Sequence, residues 1–219
     1  LFRIIMNQNN NLDTSIERLV SLLDLEDIEK NIFRGESQDI GSPQVFGGQV
    51  LGQALMAASR TVVDRNVHSL HAYFLRRGDF EAPIVYEVDR ARDGGSFSNR
   101  RVIAVQHGEQ IFNMTSSFQV PEDGLEHQSA MPNVPPPEEL EDLVDLIKPE
   151  WIEQLPLRIR RMLTRERPFE VKPVETPHFL INEVKDPIKH SWIRAKGSMS
   201  NDIVMHQALL AYVSDYDLL

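Results

Sequence analysis

The stretch from Val50 to Val120 constrains this chain more than any other. It opens with VLGQALMAASRTVV, in which Val50, Leu51, Ala54, Leu55, Ala57, Ala58 and Val62 cover most of a helical circumference. A helix apolar on nearly every side has to be buried rather than laid on a surface. Four segments with strand character follow: His68 to Leu75, Ile84 to Arg92, Ser96 to Gln106 and Gln110 to Val120. Arg77-Gly78-Asp79, Asp93-Gly94-Gly95 and His107-Gly108-Glu109 separate them as turns, the last a short hairpin connection. Consecutive strands with no helix between them pair antiparallel, so the expected unit is an α+β layer with the helix covering one face of the sheet.

The flanks fit around this unit. Thr14-Ser15-Ile16-Glu17 has capping-box spacing, and Ile16, Leu19, Val20 and Leu23 recur at helical intervals, which predicts a helix over 15–23. Ile32 to Arg34 reads as a short strand. From Pro121 to about Asp142 the composition turns to Pro, Glu and Asp and includes Val134-Pro135-Pro136-Pro137, a linker by its inability to continue helix or ladder. Beyond it, 138–147 and 150–163 read as helices, 169–174 and 191–196 as strands, and 202–218 as a last helix. The order repeats that of the first half, which predicts a degenerate duplication: a first unit over 13–120, a linker over 121–142, and linking helices plus the N-terminal part of a second unit over 143–219. That second copy is expected to be incomplete. Met6 looks like a natural start, with Leu1 to Ile5 preceding it.

The balance of charge and the residues that are missing limit the function. Ten more acidic than basic side chains argue against broad nucleic-acid binding. With no cysteine, disulfides, thiolate nucleophiles and Cys-ligated zinc are excluded. No apolar run approaches the roughly 18 to 20 residues of a membrane span, and no targeting signal is read. HExxH, GxSxG, the Walker loop and GxGxxG are absent, removing zincin, α/β-hydrolase and nucleotide-fold readings. Local basic clusters, Arg76-Arg77, Arg100-Arg101 and the run Arg158, Arg160, Arg161, Arg165, Arg167, could each hold a small polyphosphate or simply be solvated.

Three places could carry chemistry. Phe46-Gly47-Gly48-Gln49-Val50 puts two glycines before the buried helix, either as a tight turn or as a helix N-terminus whose free N–H groups polarise a carbonyl. His68-Ser69-Leu70-His71 heads a strand; strict alternation puts the two histidines on opposite faces, which weakens a paired metal site and leaves His71 as a structural residue or a base. Asp215, in Tyr212-Val213-Ser214-Asp215-Tyr216, sits in an apolar setting as an exposed cap or a tuned general base. Asp217, two residues on, should point elsewhere.

Together these stretches resemble the acyl-CoA thioesterase II (TesB-like) family. The resemblance runs through Phe33-Arg34-Gly35-Glu36-Ser37, VFGGQVLGQAL at 45–55, VHSLHAYFLRRGD at 67–79, DGGSFSNRRVIAVQHGEQIFNMTSSFQ at 93–119, EHQSAMP at 126–132 and HQALLAYVSDYDLL at 206–219. It implies two fused hotdog units and hydrolysis of acyl-CoA by activated water, with neither cofactor, metal nor covalent intermediate. It also implies a catalytic aspartate at Asp215, acting with a Ser/Thr and a Gln that lie further along the chain in the family. Gly47, Gly48, Gln49 and Val50 are then expected against the thioester, His71 in a supporting role, and Arg76, Arg77, Arg100 and Arg101 at the CoA phosphates. A hotdog hydratase would place His, Glu or Asp near Gly47, and none occurs between Phe46 and Ser59. A non-catalytic module binding acyl-CoA is the alternative. Sheet edges predict a homo-oligomer; the absence of cysteine and of a read leader suits a cytoplasmic bacterial protein, and the resemblance implies a peroxisomal one in a eukaryote.

Overall fold

The computed structural model describes residues 14–153, 155–157, 160, 164–177, 184 and 186–216. Helix α1 (Ser15–Leu23) starts where Thr14 and Glu17 close a reciprocal cap: the Thr14 hydroxyl accepts from the Glu17 amide at 3.4 Å, and the Glu17 carboxylate from the Thr14 amide at 2.7 Å. Its Ile16, Leu19 and Leu23 are buried, one helical face as the spacing predicts.

Strands β1 (Glu26–Glu29), β2 (Ile32–Gly35), β3 (Asn66–Phe74), β4 (Ile84–Asp93), β5 (Phe97–Gln106) and β6 (Glu109–Gln119) form one antiparallel sheet in the order β1-β2-β4-β5-β6-β3. The β5–β6 turn is the two residues His107 and Gly108, both at positive φ, as a tight twisted hairpin requires. Helix α2 (Gly47–Ser59) lies across one face, and every residue from Gly48 to Ala58 is buried. Tyr86, Val88, Val102, Ala104, Phe112 and Met114 form the sheet side of that core. This is the hotdog layer expected of the first unit.

Inside it, two glutamines one turn apart on α2 hold the chain that leads to the helix's own start. Gln53 donates to the Leu22 and Glu36 carbonyls at 2.7 and 2.9 Å and accepts from the Tyr86 hydroxyl at 2.7 Å. Gln49 donates to the Glu36 carbonyl and accepts from the Gln38 amide, both at 3.1 Å. Buried polar groups paired in this way do not incur the penalty of an unmade bond.

The second half departs from expectation in part. Residues 138–147 are not a helix: Pro137–Glu139 is one 3₁₀ turn, and the Leu143 amide donates instead to the Val171 carbonyl at 2.7 Å. Helix α3 (Pro149–Glu153) is short, and much of the rest of the expected helix over 150–163 lies outside the described residues. Strands β7 (Phe169–Pro173) and β8 (Ser191–Ala195) pair as a two-stranded sheet, and helix α4 (Ile203–Val213), capped by Asp202, packs on α2. Among the described residues no helix is long and apolar enough to cross a membrane.

Candidate active site

Helix α2 begins without a local cap, since Phe46 at the N-cap position offers no side-chain acceptor. The acceptor comes from 167 residues away: the Gly48 amide donates to Asp215 Oδ2 at 2.9 Å. The positive end of the helix dipole and an unpaired N–H make this a natural seat for a carboxylate. Asp215 stands just past α4, in a turn secured by the Ser214 amide on the Leu210 carbonyl and the Tyr216 amide on the Val213 carbonyl, both at 2.9 Å.

Glycine at 47 and 48 is a matter of space. A Cβ at Gly47 would sit 2.6 Å from Asp215 Oδ2 and 3.0 Å from the Phe74 ring; one at Gly48 would sit 2.1 Å from the Tyr212 carbonyl oxygen. The Gln49 amide turns back to the Phe46 carbonyl, whereas the Gly47 amide has no partner among the described residues. Phe46, Phe169, Tyr212 and Tyr216 form an aromatic wall beside the carboxylate, with ring centroids between 5.1 and 6.1 Å apart. Burial in these surroundings pushes the Asp215 carboxyl above the ordinary carboxylate range, and the Gly48 hydrogen bond pulls partly the other way. Oδ1 has no hydrogen-bond partner among the described residues.

The other expected residues scatter. Gln49 and Val50 are buried in the fold, and the Gln49 side chain is spent on the chain at 36–38. Arg100 cannot meet a phosphate: it is 0% exposed, and its guanidinium donates to the Thr61 hydroxyl and carbonyl, the Arg92 and Asn99 carbonyls, and Asp93 Oδ1 at 2.6 Å. That contact holds Asp93 well below the usual carboxylate range. Arg76 donates to the Gln110 carbonyl and pairs with Glu109, while Arg77 and Arg101 are exposed, Arg101 on the sheet face opposite α2. The four arginines do not converge.

His71 is on that outer face too, its ring 4.8 Å from Tyr73, away from Asp215. His68 joins it there. An irregularity between Val67 and Ser69 breaks the expected alternation, and His68 Nε2 contacts the outward Ser117 hydroxyl at 2.9 Å. No third ligand completes a metal site: no group of three or more His, Cys, Asp or Glu placed to hold a metal occurs among the described residues. Asp217, expected to point elsewhere, lies outside the described residues. Sequence reasoning missed the surroundings of Asp215, namely Phe46, Phe74, Phe169 and the Tyr212/Tyr216 pair. Only that pair, at i and i+4 beside the aspartate, was open to reading.

Comparison with known proteins places these features in a family. Residues 34–119 match the acyl-CoA thioesterase N-terminal domain, and 160–219 match the acyl-CoA thioesterase family. Acyl-CoA thioesterase 2 of Haemophilus influenzae is 46% identical over 92% of this chain and 70% of its own length. Acyl-coenzyme A thioesterase 8 of Homo sapiens is 42% identical over 92% of this chain and 66% of its own; the chain thus spans about two thirds of both relatives. The acyl-CoA thioesterase II TesB2 structure from Mycobacterium marinum superposes with a TM-score of 0.68 at 40% identity, covering 91% of this chain and 67% of that one. A hot dog fold protein of unknown function from Alicyclobacillus acidocaldarius, at 22% identity and a TM-score of 0.67, shares the fold. With a buried helix on an antiparallel sheet, a carboxylate capping that helix and two family matches in order along the sequence, the chain belongs to the acyl-CoA thioesterase II (TesB) family.

Proposed function

We propose that this protein hydrolyses fatty acyl-CoA to the free fatty acid and CoA, with Asp215 as the general base. The observation that carries this reading is the divided bonding of one carboxylate. Oδ2 is fixed by the Gly48 amide, which orients the group, and Oδ1, with no hydrogen-bond partner among the described residues, can accept a proton. Burial raises the basicity of that oxygen in the direction a base working near neutral pH needs.

In the proposed reaction a water held against Oδ1 attacks the thioester carbonyl carbon as its proton passes to Asp215. The developing oxyanion is met by the Gly47 amide, which has no partner among the described residues, at the positive end of α2. Collapse breaks the carbon–sulfur bond, and the proton on Asp215 passes to the departing thiolate. The names carried by the relatives supply the substrate class. A single turnover in oxygen-18 water tests the route: the label is expected wholly in the fatty acid. Label in the Asp215 carboxylate would mean a covalent anhydride and contradict direct attack by water.

A further inference from the structure

Among the described residues, Arg18, Arg34, Arg60, Arg76, Arg90, Arg100 and Arg194 each pair with a carboxylate. Arg165 and Arg167 do not. Both are half-buried, and neither makes a hydrogen bond or ion pair through its side chain to a described residue. Burial pushes the Arg167 guanidinium down, with a longer-range attraction to Asp142 against it. A partly buried guanidinium with no partner among the described residues is a natural seat for an anionic ligand that supplies the missing charge.

Arg165 opens into a cavity of about 270 Å³ between α1, the loop at 38–39 and the segment before β7. Tyr212, one turn from Asp215 on the same chain, lines it, so the cavity lies by the end of α4 that presents the candidate base. Two carboxylates share its wall, and both have an oxygen engaged: Glu166 pairs with Arg18 at 2.7 Å, and Asp39 Oδ1 accepts from the Gly41 amide at 2.7 Å. The Gln38 side-chain amide has no partner among the described residues. One open guanidinium, an open amide and an acceptor on Asp39 suit a phosphorylated nucleoside, with phosphate on the arginine and polar sugar or base groups on the others, better than a bare anion.

We infer that this cavity takes the nucleotide end of CoA, with Arg165 on a phosphate and Arg167 adding charge behind it. The inference rests on acyl-CoA being the substrate, and it moves phosphate recognition from the arginines of β3 and β5 to the segment before β7. The test compares wild type with an Arg165→Gln/Arg167→Gln variant on acyl-CoA and on the same acyl group carried by pantetheine, which lacks the nucleotide. KM for acyl-CoA should rise about tenfold, the loss of one or two charge-assisted hydrogen bonds. Turnover and the pantetheine ester's KM should hold, and Arg165→Lys should retain part of the preference for acyl-CoA. An unchanged KM, or an equal rise for both esters, overturns the inference. Should the wild type cleave neither ester, the thioesterase reading has failed by itself, and titration with the adenosine bisphosphate fragment of CoA still decides the cavity. Binding that the double variant loses supports it, and absent or equal binding overturns it.

Discussion

Helices α2 and α4 are packed against each other, both rich in small and apolar residues, yet they are housed differently. Helix α2 is buried from Gly48 to Ala58 under a six-stranded sheet. Helix α4 is just as apolar but leaves Leu210 67% and Ile203 51% exposed, and among the described residues the strands of its own half are β7 and β8, paired as a two-stranded sheet. One side of α4 is therefore committed to α2 and carries the structural load, while its composition suits burial on the other side as well. The contact between the helices is also where chemistry is proposed, because it delivers Asp215 to the start of α2.

If that contact is as close as it stands, the most damaging small change is Gly48→Ala. A methyl group 2.1 Å from the Tyr212 carbonyl has no flexible neighbour to displace, so the helices must separate. We expect a loss of about 3 kcal/mol or more in urea unfolding; a loss under about 1 kcal/mol would show the contact to be loose. The asymmetry of α4 predicts a similar cost for Leu209→Ala, about 2 to 4 kcal/mol on the buried side. Leu210→Ala, one residue on, should stay within about 0.5 kcal/mol. Equal effects at the two positions would mean that Leu210 is covered in solution.

A smaller effect of opposite sign is expected beneath α2. Ser116 is buried on β6 with a hydroxyl that has no partner among the described residues. Ser116→Ala should leave stability unchanged or raise it by about 1 kcal/mol, since it removes an unsatisfied polar atom. A marked loss would reveal a bond to that hydroxyl.

The first unit was largely legible. Two-residue periodicity and glycine turns predict β3 to β6 because each strand has one face on α2 and one in solvent, which the pattern reports directly. Strand β1 was missed because Glu26-Asp27-Ile28-Glu29 is exposed throughout and shows no alternation. The helix expected over 138–147 failed for a different reason: the Leu143 amide finds a tertiary partner on β7, which outweighs local propensity. At the site, Asp215 could be reached through the family motif, but its partner could not, since no local pattern encodes a bond spanning 167 residues. Arg100 shows the same limit. Adjacent arginines on a strand look alike in sequence, yet one is sealed into a network with Asp93 and Thr61 and the next faces water.

Burial of Asp215 has consequences for pH that run in two directions. Its folded pKa is raised, so the basic form is lost as pH falls through a value above the ordinary aspartate pKa of about 3.9, and the acid limb of kcat/KM should lie above that point. In the interval between the ordinary and the raised pKa the folded state holds the extra proton. Stability from this group is therefore present at low pH and declines as pH rises through the folded value. The stability of Asp215→Asn relative to wild type should rise across the same interval; a flat difference would mean that the carboxyl is not desolvated.

The measurement that bears most directly on the site is turnover of acyl-CoA by Asp215→Asn beside wild type, with unfolding followed in the same samples. Asparagine keeps an oxygen able to accept from the Gly48 amide and removes only the basicity, so folding should survive while kcat falls by about a hundredfold or more. A folded Asp215→Asn variant that turns over acyl-CoA at the wild-type rate would show that this carboxylate caps a helix and does nothing else.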